Sequence, residues 1–75
     1  MNTNNLKDTV THLVRLFPLR RFRIVDGRIE TTTRKFEWWV PVFDDRELAE
    51  IKDSTNLSST LNLVIACHKA VLATV

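Results

Sequence analysis

The positions of the apolar residues divide the chain into an N-terminal helix, a β segment and two further helices. From residue 6 to residue 17, apolar side chains recur at i, i+4, i+7, i+8 and i+11, the spacing of one helical face. These are Leu6, Val10, Leu13, Val14 and Phe17. Asn4 or Asn5 can cap the start, and Pro18 cannot continue the helix. The pattern predicts an amphipathic helix over residues 5–17.

A β-hairpin is predicted next, centred on Asp26-Gly27. An Asp-Gly pair between alternating segments is typical of a type I′ turn, in which both turn residues have positive φ. A two-residue turn fixes the register and sets Ile24 opposite Ile29 and Arg23 opposite Glu30. One face of the hairpin then carries Phe22, Ile24 and Ile29, and the other carries Arg21, Arg23, Arg28 and Glu30.

On the second strand of the hairpin the core-facing positions continue from Ile29 as odd-numbered residues, whereas the apolar residues after the hairpin occupy even-numbered positions, such as Trp38 and Val40. A shift of one residue moves every side chain to the opposite face of a strand. We therefore predict a bulge or a turn between Thr31 and Lys35, and the absence of Gly and Pro there favours a bulge. The next strand segment, residues 35–43, lies at a sheet edge because Pro41 cannot donate to a ladder. In this segment Trp38 points inward and Trp39 outward.

Asp44 followed by Glu47 resembles a capping box and predicts the start of a second, short helix that ends near residues 54–56. A third helix, capped by Ser58 or Ser59, is predicted to run to about Thr74.

The third helix is apolar around most of its circumference, and only a narrow stripe centred on Asn62 and Lys69 is polar. Such a helix is typically buried. A chain of 75 residues has little material to bury it. We expect one side to pack on the sheet and the other on a second copy or another partner, and we predict a homodimer through residues 57–75.

The expected fold class is α+β in a single domain, residues 1–75. It comprises an N-terminal helix, an antiparallel β-hairpin extended by a bulged third strand segment, and two helices of which the last is largely buried. Cys67 is the only cysteine, which excludes an intrachain disulfide and fits a reducing compartment. No signal peptide or membrane span is evident, so the expected location is cytoplasmic and no membrane partner is expected.

Charge is divided unevenly along the chain, although the formal net charge is only +2. Residues 15–35 contain seven basic and two acidic side chains, whereas residues 37–53 contain six acidic and two basic ones. This asymmetry indicates an acidic partner for the first half. Alternatively, the two halves face each other within the fold or across a dimer.

The sequence does not predict catalytic chemistry. His12, Cys67 and His68 do not have the spacing of metal ligands, and a single glycine excludes P-loop and dinucleotide-binding fingerprints. Cys67 and His68 are adjacent on a helix and diverge by about 100°, so they do not form a nucleophile–base pair. We predict no catalytic residue, no metal, no cofactor and no enzymatic activity.

Binding is therefore the expected role. The main hypothesis is a small regulatory protein that binds another protein through an acidic surface on the partner, as an inhibitor or adaptor. Small size and few motifs are typical of accessory proteins of phages and mobile elements. The predicted partner-binding residues are Arg20, Arg21, Arg23, Arg28, Arg34, Lys35 and Trp39.

A dimeric nucleic-acid-binding regulator is the alternative hypothesis, because arginine is well suited to phosphate contacts. Residues 36–75, a strand followed by two helices with a Ser near the start of the last, also resemble in outline a ribbon–helix–helix unit. That resemblance implies a dimer with its ribbon in a DNA groove. The exposed set of this ribbon would be Glu37, Trp39 and Pro41, unlike the polar face of that family.

Overall fold

The computed structural model describes residues 3–33 and 38–73. The chain forms helix α1 (Thr3–Leu16), strands β1 (Arg20–Val25), β2 (Arg28–Thr33) and β3 (Val40–Pro41), and helices α2 (Asp45–Asp53) and α3 (Leu57–Ala73). The three strands form one antiparallel sheet in the order β1-β2-β3. The predicted α+β class is confirmed.

The β1–β2 hairpin has the predicted turn and register. Asp26 and Gly27 both have positive φ, 52° and 72°, as a type I′ turn requires. Ile24 pairs with Ile29 and Arg23 pairs with Glu30. The inner face of the sheet therefore carries Ile29, which is fully buried, while the arginines of β1 at positions 21 and 23 lie on the outer face.

Strand β3 runs back alongside β2, with Val40 opposite Thr31 and Pro41 opposite Glu30. The apolar residues after the hairpin thus alternate on the other set of positions because they belong to a separate strand, β3, which pairs antiparallel with β2. The β1–β2 register stays regular through Thr33, so the predicted bulge is absent up to that residue; Arg34 and Lys35 lie outside the described residues.

The third strand is shorter than the predicted segment 35–43, because only Val40 and Pro41 pair with β2. Its predicted edge position is correct: β3 is the last strand in the sheet order. Because β3 pairs within its own chain, the structure does not support the outline resemblance to a ribbon–helix–helix unit.

Helix α1 buries a line of side chains that differs slightly from the predicted stripe. Leu6, Thr9, Leu13 and Phe17 are buried, whereas Val14 is 47% exposed. Thr9 is tolerated inside because its hydroxyl donates a 2.7 Å hydrogen bond to the Asn5 carbonyl one turn earlier. The inward face of α1 is therefore rotated away from Val14.

The asparagine predicted to cap α1 stabilises a different helix. α1 begins at Thr3, so Asn4 and Asn5 both lie within its first turn, and the prediction that one of them caps the helix is wrong. The buried Asn5 amide instead donates hydrogen bonds to the carbonyl oxygens of Ile51 at 2.9 Å and Ser54 at 3.1 Å. These groups belong to the C-terminal end of α2, where backbone carbonyls have no partner within the helix.

Helix α2 begins with the predicted capping box. The Asp44 carboxylate accepts a hydrogen bond from the Glu47 N–H at 2.8 Å, and the Glu47 carboxylate accepts one from the Asp44 N–H at 3.0 Å. At α3 the cap differs from the prediction of Ser58 or Ser59. Asn56, the residue just before α3, accepts at Oδ1 a hydrogen bond from the Ser59 N–H at 3.3 Å, so the cap lies two residues before Ser58.

The core lies between the inner face of the sheet and the three helices. Every helix contributes to it, together with Ile29 and the segment between β3 and α2. Its buried apolar members are Leu6, Leu13, Phe17, Ile29, Val42, Phe43, Leu48, Ile51, Leu61, Val64, Ile65 and Leu72. Helix α3 supplies four of them from one side only, and its opposite side stays exposed in the single chain.

Candidate interaction surfaces

The outer face of the sheet carries arginine side chains around one tryptophan. The hairpin register places Arg21, Arg23, Arg28 and Glu30 on this face, as the sequence predicts. The side chain of Trp39, the residue just before β3, lies on the same face. We call Arg21, Arg23, Arg28, Glu30 and Trp39 the arginine–tryptophan face.

Two guanidinium groups of this face stack on the indole. The Arg23 Cζ atom lies 4.3 Å from the centroid of the Trp39 ring, and the Arg21 Cζ atom lies 5.5 Å from it. Both distances are within the range of cation–π attraction. Trp39 is therefore half-buried, and the two arginines are held side by side on the sheet surface.

Two carboxylates lower the positive charge of the same surface. Arg23 contacts the Glu30 carboxylate at 2.8 Å across β1 and β2, the cross-strand pair that the register predicts. Arg28 lies 3.5 Å from the Asp45 carboxylate at the start of α2, with both side chains largely exposed. Exposed pairs of this kind contribute little to stability, and their effect here is to offset the charge of two arginines.

Arg20, predicted to bind a partner, faces inward and completes α3. Its Nε donates to the Leu72 carbonyl oxygen at 2.6 Å, and its Nη2 donates to the Val71 carbonyl oxygen at 2.8 Å. Both carbonyls lie in the last turn of α3, where helix carbonyls lack intrahelical partners. Arg20 therefore does not belong to the arginine–tryptophan face. The sequence around Arg20 does not indicate a partner for its side chain, because the partners are backbone carbonyl oxygens.

Of the two tryptophans, Trp38 differs from the alternation predicted for residues 35–43, whereas Trp39 lies on the outer face as predicted. Trp38 is 63% exposed although it was predicted to point inward, and Trp39 is half-buried beneath the arginines. Strand pairing begins only at Val40, so the period-two rule does not apply to Trp38. Of the other predicted partner-binding residues, Arg34 and Lys35 lie outside the described residues.

Helix α3 carries a second apolar surface, on the side away from the core. Its members recur at i, i+3, i+4, i+7 and i+8, the spacing of one helical face. We call them the outer stripe of α3: Leu63, Ala66, Cys67, Ala70 and Val71. All five are exposed, and Leu63 and Val71 keep 74% and 68% of their surface accessible. The outer stripe contains no charged residue.

A groove runs between α1 and α3 beside the outer stripe. It consists of two adjoining hollows of about 340 and 310 Å³, which share Leu16, Phe17 and Lys69. Ala66 belongs both to the outer stripe and to the wall of the first hollow. The apolar surface therefore continues from α3 onto Leu16, which is 49% exposed, and the ionisable side chains that line the groove among the described residues are basic.

No family model, curated protein or solved structure matches this chain. What it does must therefore be inferred from these surfaces.

The two histidines and the cysteine do not come together. His68 Nε2 lies 2.9 Å from the Glu47 carboxylate, and its ring packs edge-on against Phe43 at 5.6 Å. His12 lines the groove, and Cys67 is exposed on the outer stripe. Within residues 3–33 and 38–73, no group of three or more His, Cys, Asp or Glu side chains is arranged to hold a metal ion. None of the helices in the same ranges is long and apolar enough to cross a membrane.

Proposed function

We propose that this chain is a small, non-catalytic regulatory protein of the cytoplasm that acts by binding another protein, as an inhibitor or adaptor. The partner presents an acidic surface to the arginine–tryptophan face. The observation that supports this proposal is the stacking of Arg21 and Arg23 on Trp39.

The composition of this face is typical of protein interfaces. Arginine and tryptophan are the side chains most enriched among residues that dominate binding energy. Carboxylates bind the N–H edge of a guanidinium, as Glu30 binds Arg23. Arginines already held on a ring lose less conformational freedom when a partner docks. Trp38, which is mostly exposed next to Trp39, adds apolar contact area.

A nucleic-acid partner fits the same surface less well. Glu30 and Asp45 offset the charge of Arg23 and Arg28, which lowers the net positive charge on which nucleic-acid affinity mainly depends. Arg23 lies over the Trp39 ring, where a base would need to stack. Nucleic acid remains the alternative that the experiment must separate from a protein partner.

We also propose that the protein acts as a homodimer. The outer stripe of α3 joins the two copies through residues 57–75, so that each dimer presents two arginine–tryptophan faces. The exposed thiol of Cys67 suits a reducing compartment, where it stays unpaired.

The test is affinity capture from a lysate of the cells that make the protein, with and without nuclease, followed by mass spectrometry. The bait is the tagged chain, compared with an Arg21→Glu, Arg23→Gln variant. Gln at position 23 avoids placing a second carboxylate against Glu30. The matched control is Arg46→Glu, because Arg46 is an exposed arginine on α2 that is not part of the face.

We expect a stoichiometric protein to be retained by the wild type and by Arg46→Glu, to survive nuclease, and to be lost from the double variant. Nucleic acid that co-purifies, with proteins lost after nuclease, would support the alternative. Equal retention by all three baits would reject the arginine–tryptophan face as the binding site. Circular dichroism of each bait verifies that the fold is retained.

A further inference from the structure

Strand β1 is an open edge of the sheet. In the order β1-β2-β3 it has a neighbour on one side only among the described residues. Ile24 and Val25, near the hairpin turn, keep 39% and 37% of their surface accessible. An exposed edge strand presents unpaired backbone groups on which another strand can form. The β1 edge is therefore the place where the sheet can be extended.

The hydrogen-bond pattern identifies the open backbone groups. Successive residues of an antiparallel strand direct their N–H and C=O groups alternately to one side and the other. The Ile29 carbonyl accepts a 3.0 Å hydrogen bond from the Val42 N–H, so the backbone groups of Ile29 face β3. Those of Ile24, directly opposite on β1, therefore face away from β2, as do those of Phe22. Within residues 3–33 and 38–73, no hydrogen bond from outside the hairpin reaches these four groups.

We propose that the β1 edge binds an extended, acidic segment of the partner protein, which joins the sheet as a fourth, antiparallel strand. This inference rests on the proposed function and specifies how the partner reaches the arginine–tryptophan face. Strand addition gains affinity from main-chain hydrogen bonds and specificity from alternate side chains. The antiparallel direction matches the existing sheet and is the slightly more stable pairing.

Charge determines which strand can pair with β1. Directly opposite residues of two strands lie on the same face of a sheet, and Arg21 and Arg23 lie on the outer face. Their backbone groups bond to β2, so they would form non-hydrogen-bonded pairs with the added strand, in which opposed side chains are closest. Carboxylates opposite the two arginines would pair favourably with them.

The same charges disfavour a second copy of this chain at the β1 edge. In the two-fold register that uses all four open backbone groups, Phe22 pairs with Ile24 of the second copy. Arg23 then lies directly opposite its own counterpart, and like charges in that position are destabilising. Charge complementarity therefore selects an acidic strand from a dissimilar partner.

The inner face of the sheet sets the other half of the pattern. Phe22 packs against the core but is only partly buried, and Ile24 is still 39% exposed. Residues opposite these two would lie on the inner face and cover them, so apolar side chains are expected there. The partner segment therefore alternates acidic and apolar residues over the four positions opposite residues 21–24.

The first test measures binding of a fluorescein-labelled, N-acetylated heptapeptide, Glu-Val-Glu-Ile-Glu-Val-Glu, to the full chain by fluorescence anisotropy. Arg21→Glu, Arg23→Gln should weaken binding about tenfold or more, because two favourable cross-strand pairs are lost. Arg46→Glu is the matched control and should bind as the wild type does. The rearranged peptide Glu-Glu-Val-Ile-Val-Glu-Glu has the same charge without the alternation and should bind more weakly. No binding of the alternating peptide at millimolar concentration would overturn the proposal.

N-methylated peptides test the backbone hydrogen bonds without altering the protein. In an antiparallel pair the apolar residues of the peptide exchange hydrogen bonds with Phe22 and Ile24. Methyl groups on the nitrogens of its Val and Ile residues should therefore abolish binding. Methyl groups on three Glu nitrogens point away from β1 and should be tolerated. Equal binding of the two methylated peptides would overturn strand addition.

Amide hydrogen exchange locates the added strand. In the free chain the amides of Phe22 and Ile24 should exchange faster than those of Arg21 and Arg23, which bond to β2. The alternating peptide should slow exchange at Phe22 and Ile24. Protection of these two amides that rises with protein concentration, without peptide, would show a second copy at the edge and overturn the proposal.

The failure of this inference is distinguishable from failure of the proposed function. If the peptide left exchange at Phe22 and Ile24 unchanged, strand addition would be overturned. Capture of a protein from lysate that still depended on Arg21 and Arg23 would then leave the proposed function standing.

Discussion

The side-chain amide of Asn5 donates a 2.9 Å hydrogen bond to the carbonyl oxygen of Ile51, which lies 46 residues later in the chain. The same amide contacts the carbonyls of Lys52 and Ser54. A polar side chain from the first turn of α1 thus donates hydrogen bonds to backbone carbonyls at the C-terminal end of α2. The pairing is buried, so water cannot readily replace it.

Replacing Asn5 with alanine should lower the free energy of unfolding by about 1–3 kcal/mol, because the carbonyls of Lys52 and Ser54 would lose the Asn5 donor and the Ile51 carbonyl would keep the 3.3 Å hydrogen bond from the Ser54 N–H. Urea denaturation followed by circular dichroism measures the change. Asn62→Ala is the matched control, since it removes the same amide from an exposed helical position. If the two variants were equally stable, the carbonyls at the end of α2 would have another donor, such as water.

Arg20 should be needed for the last turn of α3. Arg20→Met keeps the apolar stem but removes the donors to Val71 and Leu72, and we expect a loss of about 1–2 kcal/mol. Amide hydrogen exchange should become faster at the end of α3. Arg20→Lys should restore the stability only in part, because an ammonium lacks the planar pair of donors.

The control for Arg20 is Arg46→Met, whose side chain is 89% exposed and paired only with Glu50 in the described structure. It should leave the unfolding free energy and the exchange at α3 unchanged. Equal protection of the last turn of α3 in Arg20→Met and Arg46→Met would contradict the capping role.

Gly27 should be required for its backbone conformation. Its φ is +72°, and Gly27→Ala should cost about 1–2 kcal/mol, because a Cβ is unfavourable in the left-handed region. Gly27→Asn should cost less, since asparagine adopts this region more readily. An added Cβ would also lie 3.2 Å from Lys52 Nζ, the mobile tip of a long side chain.

A double variant separates the two causes. If backbone strain dominates, adding Lys52→Ala to Gly27→Ala should recover none of the lost stability in thermal unfolding. Full recovery would mean that the contact with Lys52, rather than φ, is responsible.

The two tryptophans should differ in accessibility. Trp39→Phe leaves Trp38, which is 63% exposed and should be quenched readily by acrylamide. Trp38→Phe leaves Trp39 beneath Arg21 and Arg23, where quenching should be weaker. Acrylamide is uncharged, so the arginines do not concentrate it as they would iodide. Adding Arg23→Ala to Trp38→Phe should increase quenching, and an unchanged quenching constant would count against the stack.

The parts of the fold that are set by residues close together in the chain could be predicted from the sequence. Asp26-Gly27 fixes the hairpin register because only a two-residue turn with positive φ suits that pair, and Asp44 with Glu47 fixes the start of α2. The same register predicts that Arg21, Arg23 and Arg28 share the outer face of the sheet, which is most of the described candidate site.

The remaining features depend on backbone atoms or on distant strands. Asn5 and Arg20 both bind carbonyl oxygens, and every residue has one, so no residue type in the sequence identifies their partners. Trp39 meets the arginines only because β3 returns to the sheet, and Trp38 is exposed because pairing begins after it. Alternation extended beyond the paired residues places Trp39 on the outer face, but it cannot predict the exposure of Trp38.

The caps supplied by Asn5 and Arg20 also have a consequence for folding. Each side chain comes from the first 20 residues, and each completes a helix that is synthesised later, at Ile51 and at Leu72. Neither α2 nor α3 is complete without α1 and β1, and Arg20 has no carbonyls to bind until the last turn of α3 exists. During translation the last turn of α3 therefore gains its Arg20 cap only after Leu72 has left the ribosome, and we expect the helices and the sheet to unfold together in one transition.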